Sequence, residues 1–323
     1  MRCGGEIVRP VARTAFVFAL LLVNTTPLAQ TFPAKQVRFV IPFPVGGSSD
    51  ASARIIMPPL IERWKQQILV DPRPGAGTVI GTDHVAKSAP DGHTLLLTSN
   101  QYSYTPVMYA KLPYDALSDL LPITIVSLSP QAIVAHPSLP VRNVTELIAL
   151  ARARPGQLNM GTAGSVLPVH LFNMLAQVKI EVVPYKGAGP MSIDLMGGHV
   201  PLAIAAVSSV QAAVRSGRAR MIGVCAEKPS VVWPDALPIA RDLPGFDATA
   251  WFALFAPRGT PRDVVARIHD DVAAVLEMPD VRRHLLDIGA EPGGQTPEAL
   301  AARVRSEIAR WQKVAAAARI EPQ

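Results

Sequence analysis

Cysteine is almost missing from this chain of 323 residues: only Cys3 and Cys225 occur. Cys3 stands ahead of the apolar run 15–23, where the cysteine of a lipoprotein would follow it, so no lipid anchor is indicated. Cys225 alone offers no internal disulfide, and a chain of this length buries enough core to fold without one.

Other absences narrow the function further. His84, His93, His136, His170, His199, His269 and His284 are scattered, with no helical i, i+4 pair and no acidic neighbour at ligand spacing, so no metal site is expected. No Gly-x-Ser-x-Gly elbow and no phosphate loop ending in Gly-Lys-Ser/Thr is found, which leaves catalysis without a candidate. No basic run interleaved with aromatics occurs, and the net charge of +6 counts the arginines at the amino end, so nucleic acid is not an expected partner. No cofactor is called for.

What is present begins with a leader. Arg2, Arg9 and Arg13 form a positive region, 15–23 is apolar, and Pro27-Leu28-Ala29 precedes Gln30 as a cleavage site. The apolar run falls short of the ~20 residues of a membrane span. Residues 1–29 are therefore read as a secretory signal peptide, and the mature chain as exported.

Beyond the leader, short apolar runs alternate with amphipathic stretches. Strands are expected at 37–41, 95–97, 123–126, 132–134, 180–183, 202–207, 221–224 and 253–255, and a further one before Gly161. Helices are expected at 51–65, 81–87, 144–153, 169–176, 191–196 and 209–215. The alternation predicts α/β units with mostly parallel sheets. The 31 prolines sit singly at element edges and punctuate an ordered fold. From Pro261 the pattern is helical only, and Leu300, Val304, Ile308, Trp311 and Val314 recur as one buried stripe after the cap Thr296-Pro297.

Segments near 126–134 and 251–255 look like links between two α/β domains, 30–128 plus 252–323 and 129–251. The C-terminal helices would then pack on the first domain.

Two turns carry chemistry. After the first strand, Pro42 and Pro44 end the ladder, Gly46-Gly47 let the backbone approach a ligand, and Ser48, Ser49 or Asp50 can cap the helix that follows. Unpaired amides at that helix start suit a carboxylate or phosphate. The same motif also describes a plain strand-to-helix turn. A second Gly-rich turn runs from Gly161 through Ser165, with the hydroxyls of Thr162 and Ser165 and with Pro168 opening a helix. One such turn per domain could close on a single ligand. Phe43 and Tyr102 are candidates for the cleft wall or for simple core, and Lys186 for a solvated turn position.

The chain resembles the Bug-type substrate-binding proteins of tripartite tricarboxylate transporters. The resemblance rests on the stretch 39–50, Asp71-Pro72-Arg73-Pro74-Gly75-Ala76-Gly77, 85–96, Leu112-Pro113-Tyr114-Asp115 and Pro155-Gly156-Gln157-Leu158-Asn159. It continues through Val183-Pro184-Tyr185-Lys186-Gly187-Ala188-Gly189-Pro190, 251–257 and Glu307-Ile308-Ala309-Arg310-Trp311, in order along the mature chain. It implies a periplasmic clamshell of two α/β domains joined by two crossover segments. It also implies capture of a small carboxylate (a dicarboxylate, amino acid or aromatic acid) by backbone amides, delivery to integral-membrane permease subunits, a monomeric state, and no enzymatic activity. A receptor for a membrane sensor kinase and an exported hydrolase are the alternatives.

Carried over by position, the resemblance assigns ligand binding to Phe43, Val45, Gly46, Gly47, Ser48 and Asp50 in the first turn and to Thr162, Ala163, Gly164 and His170 in the second. Ser99 and Asn100 join them at the end of a strand, and Tyr185 on the turn 184–187. By residue type, Asp50 is expected as a helix cap and His170 as a buttress of its loop. Where the family has glycine followed by Ser or Thr, this chain has Val166 and Leu167, which predicts a larger, more apolar ligand or a weaker grip.

Overall fold

The computed structural model describes residues 32–322 together with Met1 and Gly4; apart from those two, the expected leader lies outside the described residues. The chain opens with β1 (Val37–Ile41), α1 (Ser48–Trp64), β2 (Ile68–Pro72), α2 (Val79–Ala86), β3 (Thr94–Ser99), α3 (Gln101–Met108) and β4 (Leu120–Ser129). It then passes through β5 (Gln131–Ala135), α4 (Val144–Ala153), β6 (Leu158–Thr162), α5 (Leu167–Ala176), β7 (Ile180–Pro184), α6 (Ala188–Met196), β8 (Leu202–Ala206), α7 (Val207–Arg215) and β9 (Arg220–Val224). It returns in β10 (Ala250–Pro257) and ends with α8 (Arg262–Leu276), α9 (Pro279–Asp287), the two-residue β11 (Glu291–Pro292) and α10 (Pro297–Ala318).

Two sheets result, with strand orders β11-β4-β10-β3-β1-β2 and β7-β6-β8-β5-β9. Helical crossovers make β1 parallel to β2 and β3, and β6 parallel to β7 and β8. The expectation of mostly parallel sheets is corrected where the chain changes sheet. A single residue, Pro130, separates β4 from β5, too short for a crossover helix, and β5 runs antiparallel to β8 and β9. The returning β10 likewise pairs antiparallel with β3 and β4.

The return lies at 225–249, ahead of the position expected for it, and 251–255 sits inside β10 at the centre of the first sheet. The two crossing segments are tied together: Cys225 N–H donates to Gln131 O at 2.7 Å, and Ala248 N–H to Cys225 O at 2.9 Å. Cys225 is fully buried, and burial pushes its thiol pKa up.

Helices α8 and α9 pack Ile268, Val272, Val275, Leu276, Val281 and Leu285 against Phe39, Ile41 and Leu97 of the first sheet. The stripe of α10 is buried as its spacing requires, but it divides between two cores. Leu300, Val304 and Ile308 join Val40, Leu96 and Phe255 of the first sheet. Trp311, Val314 and Ala315 join Ile133, Met160 and Phe172 of the second. The last turns of this helix therefore leave the first domain, contrary to the expectation that all C-terminal helices pack there. Each large apolar side chain so buried contributes about 1.5–3 kcal/mol.

Candidate functional site

The second glycine-rich turn connects β6 to α5, and hydrogen bonds from its own side chains hold it open. Thr162 Oγ1 donates to Ser165 O at 3.0 Å, and Leu167 N–H donates to Ser165 Oγ at 3.2 Å. Among the described residues, the N–H groups of Ala163, Gly164, Ser165 and Val166 have no acceptor. Ala163, Gly164 and Ser165 of this turn line a cavity of about 240 Å³.

Four helix starts converge on that cavity: Asn100, Gln101 and Tyr104 at α3, Ser165 and Pro168 at α5, Ala188 at α6, and Ala206 with Ser209 at α7. Gln131, just past the Pro130 crossing, and Ile204 and Ala205 of β8 complete the wall. No charged side chain lines it. Each helix start presents the positive end of a peptide dipole, so the site is electropositive without a cation. An anion is the ligand such a wall favours.

The first turn is built differently from the expectation. Helix α1 begins at Ser48, with Gly47 in the N-cap position and no side chain capping it. Asp50 instead reaches back: its Oδ2 accepts from Gly46 N–H and from Arg54 Nε, each at 3.0 Å. The Arg54 hydrogen bond, with the Gly46 amide, outweighs burial and holds the Asp50 carboxyl below its ordinary value. Gly46 is thereby spent on the loop, while the amides of Gly47, Ser48, Ser49 and Asp50 meet no acceptor among the described residues.

The cavity thus brings together Asn100, Thr162, Ala163 and Gly164 of the residues assigned to ligand binding, with Ser165 and Pro168 of the same turn. Phe43, Val45, Gly46, Gly47, Ser48, Asp50, Ser99, His170 and Tyr185 stand outside its wall. Val45 is exposed and Phe43 packs partly on the first core. Ser99 Oγ accepts from Gln101 N–H at 3.1 Å and so steadies the start of α3. His170 lies half-buried in the first turn of α5, where burial lowers its pKa. Tyr185 donates from its hydroxyl to Asp194 Oδ2 at 2.8 Å, and its ring closes over Gly161, where a Cβ would sit 3.1 Å from Cε2. Tyr102 is core, donating to Ala116 O at 2.6 Å, and Lys186 is exposed away from the wall. Leu167 is fully buried in the core under the second sheet, so its bulk does not reach the cavity.

Sequence reading missed Gln101, Tyr104, Gln131 and Ser209. The first two lie on α3, a helix left unread because Pro106 and a polar surround hide its period. Asn100 and Tyr104 are four residues apart, one helical turn, and that spacing was the available signal.

Two α/β sheets joined by paired crossing segments, with an uncharged, amide-lined cavity walled from both, define a two-domain solute-binding receptor. Residues 52–319 match the tripartite tricarboxylate transporter family receptor. Protein BugT of Bordetella pertussis is 35% identical over 88% of this chain and 90% of its own. Among solved structures, an R. palustris protein with adipate superposes at a TM-score of 0.75, with 35% identity over 90% of this chain and 100% of that one. The periplasmic binding protein BugD gives 0.71 and 28% over 90% and 100%. The chain belongs to the Bug-type receptors of the tripartite tricarboxylate transporter family.

Proposed function

We propose that this receptor is exported to the periplasm, binds one small carboxylate in the cavity between its sheets, and hands it to the membrane permease subunits of its transporter. The observation that carries the reading is the convergence of four helix starts and a run of free amides on a cavity without a charged side chain. The arginine-flanked leader and the periplasmic relatives support the location. A relative solved with adipate supports an acid as ligand.

Energetics assign a part to the first turn. Three or four hydrogen bonds to a carboxylate at roughly 1.5–3 kcal/mol each do no more than offset the roughly 4–15 kcal/mol that association costs. One cradle alone therefore holds an acid weakly. In this reading the domains 30–128 plus 252–323 and 129–251 close, and the free amides of Gly47, Ser48 and Ser49 add the second set of donors. With no cation to release, the acid departs when the domains part. Among the described residues no histidine, carboxylate or lysine lines the wall to serve Ser165 or Ser209 as a base, which supports binding over turnover.

Isothermal titration against dicarboxylates, amino acids and aromatic acids tests the proposal, with mass spectrometry of ligand retained through native purification. At least one acid should bind in one-to-one stoichiometry, and Lys186→Ala should bind it as the parent does. Turnover of the acid, or loss of binding in Lys186→Ala, would reverse the assignment.

A further inference from the structure

Strand order sets β1 and β11 on opposite sides of the line where the chain crosses between its sheets. In the first sheet β4 and β10 carry the two crossings; β11 flanks β4, while β1, with the Gly47 turn after it, lies beyond β3 on the other side. The two flanks meet the second sheet differently. On the β1 flank the amides of Gly47, Ser48 and Ser49 have no acceptor among the described residues, and their turn stands outside the cavity wall. On the β11 flank the two halves are already joined.

Glu291 is fixed to the first sheet: β11 pairs with β4, and Gly293 N–H and Gly294 N–H donate to Val126 O at 3.1 Å and Ile125 O at 2.7 Å. Ser230 and Val231 go with the second sheet, because Val232 and Trp233 after them pack on the core of Ala132, Val207 and Val224. Across the gap, Glu291 Oε1 accepts from Ser230 Oγ at 2.6 Å and from Val231 N–H at 2.9 Å. Val232 N–H donates to the same serine oxygen at 3.2 Å, so the single hydroxyl hydrogen is left for the carboxylate. Ser230 is 4% exposed, which shields this charge-assisted bond from water. Two residues before Glu291, Gly289 touches the first turn of α7: a Cβ there would stand 2.7 Å from Ser208 Cβ. This flank cannot draw closer.

We propose that Glu291 and the Ser230–Val231 turn form a latch that keeps the Gly47 turn away from the cavity and releases when the receptor closes on its acid. The proposal rests on the carboxylate-receptor reading above, in which the two glycine-rich turns close on one ligand. Rotation about the crossings works as a see-saw: bringing the β1 flank toward the second sheet lifts the β11 flank away from it. A displacement of about 1 Å carries both Glu291 bonds beyond hydrogen-bond reach. Part of the binding free energy then goes into breaking the latch, and the apparent affinity falls below that of the closed site. Glu291 lies outside the cavity wall, so its removal tightens binding without touching the ligand.

Titration of the full chain, of Glu291→Ala and of Ser230→Ala with dicarboxylates, amino acids and aromatic acids tests this. Each variant should bind the best acid of the panel about three- to tenfold tighter than the parent. The double variant should gain little beyond Glu291→Ala, because both changes remove one contact. Spin labels at Ile80→Cys and Ile193→Cys, exposed positions on α2 and α6, read the distance between the halves. Without ligand, Glu291→Ala should shift that distance toward the one the parent shows with acid bound. Ser230→Ala supplies both readings if Glu291→Ala proves unstable in a thermal melt. Parent-like or weaker binding by a folded variant, or an unchanged ligand-free distance, overturns the latch. A parent that binds no acid of the panel removes the receptor reading and the latch with it.

Discussion

Glu307 of α10 takes the indole hydrogen of Trp251 between its two carboxylate oxygens, with Trp251 Nε1 at 3.0 and 3.1 Å from them. Trp251 is the second residue of β10, just past the return crossing, so this bond joins the C-terminal helix to the crossing. Arg303 Nε lies 2.8 Å from the same carboxylate and reaches on to Asp247 at 3.2 Å.

Burial raises the Glu307 pKa above its ordinary 4.5, more than Arg303 and Trp251 lower it. A carboxyl raised in the fold binds its proton more tightly there. Its contribution is complete below the unfolded value and is lost as pH climbs through the folded one. Glu307→Gln has no such loss. Its melting temperature relative to the parent should shift in the variant's favour between pH 4.5 and 8 in a thermal-shift series, and a gap independent of pH contradicts the burial argument.

Asp271 behaves in the opposite sense. Burial alone raises its pKa, but hydrogen bonds from Arg267 Nε at 2.6 Å, from Arg63 and from Trp64 Nε1 at 2.9 Å bring it below the ordinary 3.8. The stabilisation is present above 3.8 and fades as pH falls through the lower folded value. Both arginines are half-exposed, so water screens part of it. Asp271→Asn should cost about 1–3 kcal/mol at pH 7, a fall of roughly 2–4 °C in Tm for each kcal/mol, with the deficit shrinking below pH 3.8. Denaturant titration at pH 7 and pH 3 checks both halves.

Gly164 separates binding from folding. A Cβ there meets no heavy atom within 4 Å, and its φ is not in the left-handed region, so Gly164→Val adds bulk only to the cavity. Melting should stay within about 2 °C of the parent while affinity for the acid falls about tenfold or more. By contrast Gly46 holds φ of +86°, and Gly46→Ala should lower stability by about 1 kcal/mol through the backbone alone. Equal affinity of Gly164→Val and the parent in a titration would place the ligand elsewhere.

Much of this architecture is legible along the chain because burial leaves a period. The strand 37–41, the cap Thr296 and the five-residue stripe of α10 all follow from spacing, and the structure places them as read. Direction does not leave a period. The single Pro130 moves the chain from one sheet to the other, where β5 runs antiparallel to β8 and β9, and the stripe looks the same whether it meets one core or two. The second turn is readable because Gly161, Gly164 and Pro168 mark it, whereas Gln131 reaches the cavity only through tertiary placement. Asp50, expected as a helix cap, instead secures the Gly46 amide from within the helix.

The divided stripe of α10 has a thermodynamic consequence. Because Leu300 and Val304 are embedded on one side of the crossing and Trp311 and Val314 on the other, neither half of the molecule loosens without stripping apolar surface from the same rod. Although each lobe has a sheet of its own, the shared rod should make calorimetry record a single transition.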